Sequence, residues 1–287
     1  MKKFAQFMLT LVPATIFIVI QVAVSMVLTI IYTLMHVAES GFSISEYNSF
    51  IMSLTTDSDF LWTVMVVFEV IALITFVLIY FVGLKKKINT FSNRFSGKTF
   101  PAVILLFAGA ELATGVLLQL SSLVFPAVIE EYAEMIEESG LGELSVISTI
   151  LTLIAAPIVE ELAFRGVTMT WAKRLSSKFW VANVLQAFLF GFVHLNIVQG
   201  VYAFLLGLFL GYVANKYNSL WPSILGHLVF NFTGTYVSSV VFGSEEYISF
   251  GRLGIIFVVG VLAVVGALNI MREEPGYTPE VTSGDGV

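Results

Sequence analysis

Residues 147–171 read ISTILTLIAAPIVEELAFRGVTMTW, and only Glu160, Glu161 and Arg165 among them are charged. The stretch is long and apolar enough to cross a bilayer, which takes about 20 residues as a helix. Ionisable groups in hydrocarbon are costly, so a spanning helix that keeps three in six positions keeps them for a purpose. Glu161 and Arg165 are four apart, share a helix face and can neutralise each other. Glu160 points about 100° away and is left over. A carboxylate left over in a dry interior suits a general acid or base. Pro157, one turn earlier, removes a backbone hydrogen bond and should open the helix there. On its own the stretch fits a structural Glu–Arg pair in a kinked helix equally well.

The same apolar texture extends in both directions. The chain has 287 residues, of which 57% are hydrophobic and 12% charged, with a mean hydropathy of +0.92. Soluble domains run nearer a quarter charged, so an ordinary soluble globule and a disordered chain are both excluded. Cysteine is absent, which removes disulfides, thiolate metal sites and a cysteine nucleophile. Apolar runs at 7–34, 61–84, 101–125, 147–171, 178–195, 198–215, 219–241 and 251–271 predict eight spans in one polytopic domain over 1–271. A polar tail follows over 272–287. The first run is longer than the ~7–15 residues of a signal-peptide core and reads as an uncleaved span. Gly207 and Gly211 form a G-x-x-x-G suited to close helix packing, although glycine is common in membrane helices generally.

Charge supports that count. With a cytoplasmic N-terminus and eight spans, Lys2, Lys3, Lys85, Lys86, Lys87, Arg94, Lys98, Lys173, Arg174, Lys178, Lys216 and Arg272 lie inside, 12 of the 14 basic residues. The exceptions are Arg165, inside a span, and Arg252, at the outer start of the last one. The outer loops carry the acids: Glu39, Glu46, Asp57, Asp59, Glu130, Glu131, Glu134, Glu137, Glu138, Glu143, Glu245 and Glu246. Positive residues favour the cytoplasmic side, so both termini are expected there. The acidic stretch 126–146 fits an amphipathic surface helix or a solvated loop. Nothing in the charge pattern calls for a nucleic-acid partner; the lipid bilayer is the expected environment.

Other ionisable or polar groups fall inside spans: Glu69, Glu111, His194, His227, Asn183, Gln186 and Asn231. His194 closes Phe190-Gly191-Phe192-Val193-His194; a lone histidine there also fits an interface or packing role. His227 and Asn231 are four apart on one face, so their donors can converge on one atom, as an oxyanion requires. Taken alone, the pair is better accounted for as a polar contact between helices. Elimination narrows the chemistry. The only Asp residues, Asp57, Asp59 and Asp285, lie outside the spans, which removes an intramembrane aspartyl protease. No G-x-S-x motif of a rhomboid-like serine protease lies within a span, and H-E-x-x-H is absent.

Glu160-Glu161…Arg165, Phe190…His194 and His227…Asn231 follow the order E-E-x-x-x-R, F-x-x-x-H, H-x-x-x-N on successive helices. In this the chain resembles the CAAX protease and bacteriocin-processing family of intramembrane endopeptidases, also called the Abi family. The stretch 204–232, FLLGLFLGYVANKYNSLWPSILGHLVFNF, resembles the helix, turn and helix leading into the family's last motif. The likeness covers about residues 150–235, within a family-like core at 147–241. It implies an all-α bundle of about eight spans around an intramembrane polar chamber, in a multi-pass plasma-membrane protein of a bacterium. It implies hydrolysis of peptide bonds in membrane-associated peptides or proteins, with a peptide precursor or membrane-protein segment as substrate. Glu160 would activate water with His194 assisting, His227 and Asn231 would hold the oxyanion, and Glu161 and Arg165 would tune the site. No cofactor is expected. Zinc on Glu160, His194 and His227 is the alternative, but it leaves Asn231 and Arg165 without a place. The alternative function is a non-proteolytic membrane scaffold or regulator, a sensor-kinase partner or immunity factor, that keeps the motif as a polar core.

Overall fold

In lipid every backbone polar group must find its partner within the chain, and a helix achieves this residue by residue. The computed structural model describes residues 2–41, 43–85, 87, 89–92, 97–138, 145–243 and 249–274 and is an all-α polytopic bundle. Its helices are α1 (Lys2–Ser40), α2 (Ile44–Leu54), α3 (Ser58–Gly83), α4 (Thr99–Val124), α5 (Pro126–Glu138), α6 (Val146–Leu175), α7 (Phe179–Phe192), α8 (Ile197–Tyr217), α9 (Leu220–Phe242) and α10 (Phe250–Glu273). Lys86, Arg94, Glu143, Glu245, Glu246 and the tail from residue 275 onward lie outside the described residues.

Among the described residues, seven helices are long and apolar enough to cross a membrane. The departure from eight equal spans is the run at 178–195. It forms α7, only 14 residues long, or about 21 Å at 1.5 Å per residue, short of a ~30 Å hydrocarbon core. The chain turns at its end, where Leu195 takes φ 55° and the Asn196 side chain accepts from Val198 and Gln199 N–H to start α8. Despite its length, α7 runs antiparallel along most of α8. Asn183 Nδ2 donates to Leu208 O at 3.0 Å and Gln186 Nε2 to Gly207 O at 2.8 Å. Gly207 and Gly211 face this helix: a Cβ at Gly207 would sit 3.0 Å from the Ala187 Cα, and one at Gly211 would collide with Asn183 Oδ1.

Two further regions take definite form. The stretch 126–146 is helical over Pro126–Glu138. Its Ile129, Tyr132, Met135 and Ile136 are partly covered, while Glu130, Glu131, Glu134 and Glu137 are exposed. Helix α10 continues to Glu273. The next residue, Glu274, is held: its Oε2 accepts from Thr99 Oγ1 at 2.8 Å and Tyr217 Oη at 2.7 Å.

Helix ends gather in two groups. Antiparallel packing of α1 on α3, marked by Phe17 on Phe76 and Tyr32 on Phe60, puts the start of α1 level with the end of α3. Thr90 N–H donates to Asn218 O and Leu220 N–H to Thr90 O, which joins the α3–α4 connection to the α8–α9 turn. Glu274 ties the end of α10 to the same place. Lys85, Lys87, Lys98 and Lys216 are all at this end. The flanks of the bundle are apolar and exposed, as at Val19, Met26, Ile30, Ile255, Val258 and Leu262, a surface matched to lipid rather than water. The interior reverses the pattern, burying Glu69, Glu111, Glu161, Arg165, Asn183, Gln186 and His227.

Candidate active site

The site grows from the irregular winding of α6. Its first turns are α-wound from a Ser145–Ser148 capping box. The helix then widens to i→i+5 hydrogen bonding over Leu151–Ala155 and again over Glu161–Thr168, with a short α-wound piece, Ala156–Glu160, between them. Such wide turns recur at functional sites. The second change of winding falls between the two adjacent acids, so Glu160 and Glu161 leave the helix from differently wound backbone.

Glu161 and Arg165 have no exposed side-chain surface, and Arg165 Nη1 donates to Glu161 Oε1 at 2.9 Å. The remaining face of the guanidinium lies over the Phe190 ring, 4.2 Å from its centroid, a favourable placement for a desolvated cation. Glu161 Oε1 also lies 3.0 Å from His227 Nδ1. The other imidazole nitrogen, Nε2, lies 3.5 Å from Glu160 Oε2. His227 therefore stands between the two carboxylates. Sequence spacing sends Glu160 away from the Glu161 face; in the fold both acids reach the same ring. Glu160 keeps 13% of its side chain exposed where Glu161 has none, so Glu160 is the acid that water and substrate can meet.

His194 follows the last turn of α7, and its Nδ1 bonds Phe190 O at 2.8 Å. A carbonyl oxygen only accepts, so Nδ1 carries the hydrogen and Nε2 offers a lone pair. Both histidines stand edge-on to Phe190, with ring centroids at 5.0 Å for His194 and 5.8 Å for His227. Phe190 is thus a common spacer for Arg165, His194 and His227. Asn231 Nδ2 donates to Thr152 O, across on α6, at 2.9 Å. With one N–H given to Thr152 and His227 Nδ1 turned to Glu161, the groups left for a ligand are the second N–H of Asn231 and His227 Nε2. Thr152 also lines a small surface cleft shared with Ser148, Thr149, Leu153, Thr235 and Tyr236. No group of three or more His, Cys, Asp or Glu side chains among the described residues is arranged to hold a metal ion.

Three features were not assigned from sequence. Glu69 on α3 has its Oε2 buried without a hydrogen-bond partner. Glu111 on α4 rests against Gly234, where a Cβ would lie 2.9 Å from Glu111 Oε1. Tyr202 on α8 shares a 3.0 Å hydrogen bond with Tyr132 of α5. Burial pushes the Tyr132 phenol up from its ordinary value, so it stays protonated. These acids stood out as ionisable groups within spans, but no motif connected them. Asn89 had no sequence signal at all: fully buried, its Nδ2 donates to Arg165 O at 2.9 Å and its backbone carbonyl accepts from Tyr80 Oη at 2.6 Å. The Lys-rich connection thereby supports the backbone of the site from below.

Residues 142–233 match the family model described as Type II CAAX prenyl endopeptidase Rce1-like. No curated protein and no solved structure matches the chain. The match takes in α6 through the start of the last wide turn of α9, and with it Glu160, Glu161, Arg165, His194, His227 and Asn231. The similarity to that family model covers about a third of the chain.

Proposed function

We propose that this protein is an intramembrane endopeptidase that hydrolyses peptide bonds of membrane-associated peptides or proteins by carboxylate-activated water, without a metal. The observation that carries the reading is the bridging of Glu160 and Glu161 by one imidazole, at 3.5 and 3.0 Å. One acid is locked against Arg165, and the other keeps a free, partly exposed carboxylate.

Glu160 takes a proton from water as the water oxygen bonds to the scissile carbonyl carbon. His194, with its Nε2 lone pair, assists as a second acceptor. The carbonyl oxygen gains the charge and is met by the second N–H of Asn231 and by His227 Nε2 when that nitrogen carries a proton. The 3.5 Å separation from Glu160 Oε2 supports sharing of that proton. Preorganised donors of this kind, in a site that excludes water, contribute about 10²–10³ in rate each. The proton held by Glu160 then passes to the amide nitrogen, the C–N bond breaks, and a free amine and a carboxylate leave. Glu161 and Arg165 hold the His227 ring and do not exchange protons with substrate.

The basic end of the bundle is the cytoplasmic end by the positive-inside rule, which puts both termini in the cytoplasm. A bacterial plasma membrane is the setting that the resemblance favours. Comparative peptidomics of membranes carrying wild type or Glu160→Ala tests the function and identifies substrate together. Peptides that disappear with Glu160→Ala and His194→Ala, at normal abundance of both variants, are the expected result. Full biological activity in both variants would replace the peptidase by a scaffold.

A further inference from the structure

Pro157 stands one turn before the two acids, and the backbone around it shows its consequence. Over Leu151–Ala155 the helix is wide, and Ala156 N–H donates to Leu151 O, five residues back. In the same register residue 157 would donate to Thr152 O. Proline has no N–H. The ordinary α-helical donor to Thr152 O would be Ala156, which is already committed to Leu151. Thr152 O is therefore released by both patterns of the helix that contains it. A carbonyl released inside a membrane bundle is costly unless another donor reaches it. The donor here is Asn231 Nδ2 of α9, at 2.9 Å.

We infer that Pro157 is a positioning residue for the oxyanion contact: it frees the Thr152 carbonyl to fix the carboxamide of Asn231. A primary amide is planar and carries two N–H bonds on one nitrogen. Anchoring one of them to Thr152 O sets the direction of the other. Without that anchor, rotation about the last side-chain bond exchanges donor and acceptor faces, and the carbonyl of Asn231 would repel the developing negative charge. The same helix pair is pinned one turn away by Thr149 Oγ1 and Tyr236 Oη, which fixes the distance that the Thr152–Asn231 bond spans. The proline thus acts on the helix packed against its own, through a hydrogen bond it does not make.

The inference rests on the endopeptidase reading, and the test separates the two. The full chain is purified in detergent as wild type, Pro157→Ala, Asn231→Ala and the double variant, and assayed on a fluorescence-quenched peptide library. Pro157→Ala returns an N–H that competes for Thr152 O. It should lower kcat on the order of 10²-fold, as small misplacements of a catalytic group do, with KM within about twofold. In the Asn231→Ala background it should cost nothing further, because the group it positions is gone. Pro157→Gly, which also returns the N–H, should reproduce the effect. Alanine improves an interior helix position relative to proline, so thermal stability should not fall. Selective ¹⁵N-asparagine labelling, with the Asn231 side-chain signal assigned by its loss in Asn231→Ala, reads the amide directly. That signal should move in Pro157→Ala. An unmoved signal, or an equal loss of kcat with and without Asn231, overturns the positioning role and leaves the peptidase standing. A moved signal in a chain that cleaves no peptide in a Glu160-dependent way keeps the positioning and removes the peptidase.

Discussion

Two helices of similar length, α6 and α10, solve different problems. The last helix, Phe250–Glu273, is α-wound throughout and exposes Ile255, Val258, Val259, Leu262 and Val265. It meets the bundle along a seam of small residues against α4, where a Cβ on Gly260 would lie 2.8 Å from Gly109 O. Helix α6 changes winding repeatedly and encloses Glu161 to Met169 entirely. It carries the only ion pair among the described residues with both partners at zero exposure. Regular winding suffices where a segment must satisfy its own backbone and face lipid. Irregular winding leaves backbone groups to be satisfied elsewhere, and in α6 it releases Thr152 O and turns two neighbouring acids toward one histidine.

The sharpest way to break this comparison lies within α6, between its adjacent acids. Glu161→Gln leaves the Arg165 cation buried with no countercharge; its Nε and Nη2 already have no hydrogen-bond partner. Removing one member of a buried pair costs about 3–5 kcal/mol, so this variant should accumulate poorly and unfold early on heating in detergent. Glu160→Gln removes a carboxylate that has no ion pair at contact distance other than the 3.5 Å approach of His227. It should keep wild-type abundance and midpoint while losing all cleavage. If the two variants behave alike, one acid is not structural and the other is not free, and the division of labour in the site fails.

How much of this was legible beforehand follows the same line. Hydropathy and charge record depth in the bilayer, a one-dimensional quantity, and the number and ends of the helices were close to what Lys85, Lys98, Lys178 and Lys216 mark out. Spacing of four records a shared helix face, and Glu161–Arg165 appears as read. Spacing across a change of winding does not transfer: Glu160, expected 100° away, reaches the same imidazole as its neighbour. Asn89 was invisible because its role depends on a connection folding back under a distant helix, which no local pattern encodes. The short α7 was drawn as a full span since its apolar run continues through Val193; the turn that ends it is set by Leu195 and Asn196 in three dimensions.

A middle-sized effect tests α10 as packing rather than chemistry. Gly260→Leu would force its side chain into Gly109 O and the Ala113 backbone, at 2.8 and 3.1 Å from the first added carbon. Overpacking of this kind costs about 1–3 kcal/mol, and contacts between membrane helices rest on such small-residue approaches. The midpoint for unfolding should drop while kcat per folded molecule stays unchanged. A fall in kcat without loss of stability would mean that α10 reports to the site through α4 and Glu111.

The smallest expected effect is at Leu262, 64% exposed on the same helix. In water such a side chain would be a liability, and truncating it would change solubility. In lipid, acyl chains fill the space that Leu262→Ala opens, and no packed neighbour loses its contacts. Stability and activity in bilayer nanodiscs should both match wild type, with a change within about 0.5 kcal/mol, as for substitutions remote from packed features. A loss beyond that would show that this face is covered by protein rather than lipid. The regular helix would then share the constraint now assigned to α6 alone, and its uninterrupted α-winding would need a different cause.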